Sequence, residues 1–97
     1  MPNRVIKESI FSSPNFNKLT QESKAHFFHI ILLADDLGCF ESDPDIVNGR
    51  CYPKAIDVNV KKIKKWTQDL ADNKILQLWA EGGREYAHFI NFSKHQR

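Results

Sequence analysis

Four lysines within five positions, Lys61, Lys62, Lys64 and Lys65, are the side chains of this sequence best suited to chemistry, and that chemistry is the holding of an anion. Their segment, Asn59–Lys74, reads as a helix. Asn59 is a good N-cap, and Val58 before it can staple onto Ile63. At about 100° per residue, Ile63, Trp66, Thr67 and Leu70 form one apolar stripe. Lys61, Lys65, Gln68 and Asp72 form the opposite face, with Lys62 and Lys64 on its flanks. The first turns of a helix carry the positive end of its dipole and favour acidic residues. Lys61 and Lys65 are also like charges one turn apart, at a cost of a few tenths of a kcal/mol. A locally unfavourable choice without an evident compensation is where function is sought, and a phosphate backbone would turn this cost into a gain. The plainer reading is a solvated face, partly neutralised at its far end by Asp69 and Asp72. Gln68 is the side chain on this helix suited to reading a base edge, because its amide can bond adenine twice.

Other constellations carry less. His26 and His29 are three apart, and Cys39 and Cys51 follow, but the thiols lack the close spacing of a zinc site. His29 reads instead as a residue at the edge of the core. Asp35 and Asp36, with Glu41, Asp43 and Asp45 downstream, could suggest a magnesium site, but adjacent helical residues point about 100° apart, so the Asp pair does not converge on one ion, and Asp43 already has a capping role. No Ser-His-Asp or Cys-His arrangement can be argued, and Gly82-Gly83 leads into a strand rather than a phosphate-cradling helix. The expectation is a non-enzymatic protein with no metal or cofactor.

Several elements must position these residues. Arg4–Lys7 reads as a short strand or an extended arm, and Phe11–Asn17 as turn-rich. Thr20 caps a helix with Glu22 in its first turn. Phe27–Ala34 is apolar except at His29, so this helix belongs in the middle of a core, and Gly38 is its natural stop. Asp43-Pro44 opens a second helix that runs to about Cys51 and is ended by Pro53. The third helix is Asn59–Asn73, with Asn73 expected in the left-handed conformation.

Ile75–Ala80 and Arg84–Ile90 read as strands joined through Gly82-Gly83 in a primed two-residue turn. That turn sets the register: Glu81 opposite Arg84, Trp79 opposite Tyr86, Leu78 opposite Ala87, Gln77 opposite His88 and Leu76 opposite Phe89. Leu76, Leu78, Ala87 and Phe89 then share the face that packs on the helices. Trp79 and Tyr86 share the outer face, where large aromatics are costly to leave in water. Three readings of that pair stay open: stacking on nucleic acid, a homo-oligomer surface, or a cover supplied by the N-terminal arm or by the C-terminal tail with Phe92. Arg84 at the hairpin tip can reach a phosphate or a minor groove, or brace the turn by pairing with Glu81, the pairing being slightly favoured. Arg50 and Lys54 flank the turn into the third helix and are suited to backbone contacts, Arg50 alternatively capping its own helix.

The 97 residues make one domain, 1–97, with 1–18 as an N-terminal arm and 91–97 as a C-terminal tail. A hydrophobic content of 41%, with seven Phe and two Trp, is enough for a core without staples. The net charge is only +2, so any affinity for nucleic acid must come from clusters: Arg50–Lys54, Lys61–Lys65 and Lys94–Arg97. No apolar stretch approaches the ~18–20 residues of a membrane span, and no signal-peptide core follows Met1-Pro2. A cytoplasmic protein with reduced cysteines and no membrane partner is expected.

Three helices followed by a hairpin is the order of an α+β winged helix domain. The Asp43–Cys51 and Asn59–Lys74 helices would be its helix-turn-helix pair, with the lysines at the groove-facing start of the recognition helix. Several blocks also resemble the N-terminal domain of phage replication proteins, the replisome-organiser or DnaD-like group. They are Met1–Ser9, Ser13–Leu19, Leu33–Phe40, Gly49–Pro53, Ile75–Trp79 and Lys94–Arg97, spread over essentially the whole chain. None is a catalytic signature, and Asn73-Lys74 stands where the group tends to have Gly. The resemblance implies a winged helix domain that binds DNA or self-associates at a phage or prophage origin. It also implies a further C-terminal region, so that either a fragment or a small stand-alone protein is expected. The resulting reading is a domain for double-stranded DNA in phage replication initiation. The alternatives are an oligomerisation or partner-docking module, with replication proteins such as a helicase loader as partners, and a phage transcriptional regulator.

Overall fold

Thr20 starts the first long helix as expected, its hydroxyl accepting the Ser23 amide at 3.2 Å. The computed structural model describes residues 8–90. Within them run α1 (Pro14–Asn17), α2 (Gln21–Ile30), β1 (Cys39–Glu41), α3 (Pro44–Cys51), α4 (Val60–Asp72), β2 (Leu76–Glu81) and β3 (Arg84–Phe89), with 3-10 turns at Glu8–Ser12 and Ile31–Leu33. The α+β class therefore holds: helices pack on a three-stranded antiparallel sheet of order β1-β3-β2. None of the helices among the described residues is long and apolar enough to cross a membrane.

The first helix is shorter than its apolar run. It tightens to 3-10 geometry at Ile31–Leu33, and Ala34 is already extended. Phe27, Ile30 and Ile31 are buried, but Phe28 and Leu32 lie partly exposed on the outer side. Gly38, with φ 85°, does not stop the helix but turns the chain into β1. The Asp35 carboxylate shapes that turn by accepting the Leu37 and Cys39 amides. β1 is not legible in the sequence: three residues with one buried position are too short for a period-two signal.

The second helix opens as predicted, with Asp43 as N-cap and Pro44 at the first position. α4 also follows its prediction. Asn59 accepts the Lys62 amide at 2.9 Å, and Ile63, Trp66 and Leu70 are buried. Its end differs. Asn73 has φ −96°, and Lys74 takes the left-handed conformation with φ 63°. The Lys74 amide bonds the Ala71 carbonyl and the Ile75 amide bonds the Leu70 carbonyl, a Schellman closure with both Leu70 and Ile75 buried. The Asn73 amide group instead donates to the Asp69 carbonyl.

The hairpin has the predicted register at all five pairs. Gly82 and Gly83 have φ 59° and 78°, as a type I′ turn requires. Leu76, Ala87 and Phe89 of the inner face are buried, but Leu78, nearer the tip, stays 38% exposed and lines an open groove. β1 completes the sheet on the far edge of β3, with Phe40 opposite Ala87.

Phe11–Asn17 is more ordered than a turn-rich stretch. Ser13 caps α1, and Ile10 and Phe16 enter the core from the segment read as an arm, Phe16 packing edge-on to Phe27 at 5.4 Å. The Arg4–Lys7 strand and the 91–97 tail with Phe92 lie outside the described residues.

Candidate nucleic-acid interface

The lysine face of α4 is exposed along its length. No acidic residue stands in the first turn, so the positive helix end is left without an internal counter-charge. Among the described residues Lys61, Lys64 and Lys65 have no ion-pair partner. Lys62 is committed differently: its ammonium donates to the Asp57 main-chain carbonyl at 2.7 Å and straps the α3–α4 loop onto the helix. Gln68 donates through Nε2 to Asp72 Oδ1 at 2.9 Å, which leaves a second N–H and its carbonyl for other partners.

A groove of about 500 Å³ separates α4 from the hairpin. Lys64, Lys65, Thr67 and Gln68 line its helical side, and Leu78, Trp79 and Tyr86 line its hairpin side. The Trp79 and Tyr86 rings stack 5.6 Å apart at 24°, as cross-strand partners can. Trp79 remains 40% exposed. Tertiary structure thus brings two of the four lysines, Lys64 and Lys65, to one recess with the aromatic pair of the hairpin.

The other expected contacts do not join it. Arg84 pairs with Glu41 at 3.6 Å, not with Glu81. Glu41 stands opposite Tyr86 on β1, so it is a diagonal same-face neighbour of Arg84. The guanidinium is largely exposed, and such a pair contributes little. Arg50 lines a shallow pocket with Phe28, His29, Leu32 and Cys51, against α2 and away from the groove. Lys54 is exposed in the α3–α4 loop, near a fully exposed Ile56.

The core also holds a polar contact that has no signature in the sequence. His26 is fully buried, with Nδ1 2.7 Å from the Tyr52 hydroxyl and Nε2 3.5 Å from Thr67 Oγ1. Thr67 gives its own proton to the Ile63 carbonyl at 2.7 Å, so its oxygen accepts from Nε2–H, and Nδ1 accepts from Tyr52. His26 is therefore a neutral imidazole with its proton on Nε2. Burial, aided by the nearby His29 charge, pushes its pKa down to about 4. Burial likewise raises the Tyr52 pKa. His29 donates Nδ1–H to the Ala25 carbonyl and stacks on Tyr52 at 4.6 Å. Both imidazoles are thus engaged structurally. Spacing carries no signal for this link, because its members come from α2, α4 and the residue that ends α3.

No family model, curated protein or solved structure matches the chain.

Proposed function

We propose that this chain is a winged helix domain that binds double-stranded DNA. The element order supports the reading: helix, short strand, two helices, then a hairpin, with α3 packed on α4 as a helix-turn-helix pair and β2–β3 as the wing. The observation that carries it is the exposed face of α4, where Lys61, Lys64 and Lys65 have no acidic partner among the described residues. In a helix-turn-helix the start of the second helix meets the major groove, and these lysines would hold the flanking phosphates. Gln68 would read a base edge with its free N–H and carbonyl. Arg84 and the Gly82-Gly83 tip would touch the neighbouring groove, Arg84 by exchanging its weak pair with Glu41 for a phosphate. The resemblance to phage replication proteins gives the setting, initiation of phage or prophage replication in the cytoplasm.

The stack of exposed Trp79 on half-buried Tyr86 favours a second reading, an oligomerisation or partner-docking module with these aromatics as hot spots. The deciding experiment is binding of labelled duplex DNA across a salt series, by wild type and by Lys61→Ala/Lys65→Ala. With about four to six phosphate contacts, the DNA reading expects binding that weakens steeply with salt, and a slope shallower by about two units in the double variant. An absence of wild-type binding at low salt would sink it and leave the module reading.

A further inference from the structure

Resting on that reading of α4, we propose that the groove between α4 and the hairpin takes an unpaired stretch of DNA strand, with a base stacked on Trp79 and its phosphates held by Lys64 and Lys65. The aromatic wall points to a single strand. A base can stack on the Trp79 indole only when it is free of its neighbours in a duplex, and the recess of about 500 Å³ has room for such a base with its sugar. A duplex would instead meet the outward face of the helix around Lys61, with Lys64 and Lys65 serving either ligand.

The lining chemistry is that of single-strand sites elsewhere, a cationic wall that follows the backbone opposite an aromatic wall on which bases stack. Here α4 supplies the cations and the hairpin the aromatics. The Trp79 indole is backed by Tyr86 on a sheet, so it is a preformed platform and not a side chain that must be ordered on binding. Glu85 also lines the groove and repels phosphate, which biases the backbone to the α4 wall and the base to the aromatic wall. Every base has a π-face, so the site is tolerant of sequence. A domain with both surfaces would bind where a duplex gives way to a melted strand.

The test uses oligo-dT as single strand and a blunt hairpin as duplex, titrated against the 97-residue chain. Tryptophan emission is followed together with anisotropy of the labelled DNA. Trp66 is buried, so quenching by oligo-dT reports Trp79 and should vanish in Trp79→Ala. Trp79→Ala is expected to lower single-strand affinity about tenfold more than duplex affinity, and Trp79→Phe to restore part of it. Lys64→Ala/Lys65→Ala should weaken both. The proposal is overturned if oligo-dT gives no quenching or if Trp79→Ala weakens both ligands equally. It is also overturned if sedimentation shows that Trp79→Ala dissociates an oligomer. Duplex binding with a single-strand affinity indifferent to Trp79 removes this inference and keeps the duplex reading. Trp79-dependent single-strand binding without duplex binding does the reverse.

Discussion

At the scale of single residues, His26 is the most consequential side chain that patterning did not expose. The sequence shows a histidine on a helix beside a more conspicuous His29 in an apolar run. The fold buries the first and leaves the second exposed. His26 is tolerated because each ring nitrogen has a partner, Tyr52 on one side and Thr67 on the other. Protonation would turn Nδ1 from acceptor to donor against a hydroxyl that already donates to it, inside a site that penalises charge. The pH dependence follows in sign. Folded His26 titrates near 4 and the unfolded chain near 6.5, so between those values the unfolded state binds the extra proton. Stability from this residue is present above pH 6.5 and is lost as pH falls towards 4, by as much as about 3 kcal/mol. Urea denaturation of wild type and His26→Gln from pH 7 to 4 should show the wild-type advantage shrinking through that window. A constant difference would mean that His26 is not buried as a neutral ring.

At the scale of elements, α4 and the hairpin were legible because their determinants are local. Asn59, the Ile63–Trp66–Leu70 stripe and the Gly82-Gly83 turn each act over a few residues, and each appears where the sequence puts it. The exit from α4 differs by one position. Lys74, not Asn73, is left-handed, because the Schellman closure needs the Ile75 amide to turn back to the Leu70 carbonyl. A lysine in that conformation carries about 1 kcal/mol of steric cost that glycine avoids. Part of the gain is returned as chain entropy in the unfolded state, so Lys74→Gly should stabilise by a few tenths to about 1 kcal/mol. In thermal unfolding that is a rise of up to several degrees, and a fall in Tm would contradict the closure described here. β1 was not legible. Its three residues become a strand only because β3 offers an unpaired edge, and that edge is a property of the folded hairpin.

For the whole molecule, the sheet and helices are joined through aromatic contacts that no segment contains alone. Phe89 of β3 meets Phe27 of α2 at 5.6 Å and Phe40 of β1 at 5.4 Å. Phe89→Ala should therefore cost about 3–5 kcal/mol, a large share of the stability of so small a domain, read as a lower urea midpoint. A loss below about 1 kcal/mol would mean that the three elements are held together elsewhere. The sequence alone determined the α+β class, the N-caps Thr20, Asp43 and Asn59, the buried stripe of α4 and the hairpin register, because each depends on periodicity or on the conformational limits of one or two residues. Only the tertiary structure decided that Arg84 pairs with Glu41, that His26 bonds Tyr52 and Thr67, and that Lys64, Lys65 and Trp79 share one groove. Those contacts join residues far apart in the chain. Their energies arise only once core burial has already met the entropy of closing the loops between them.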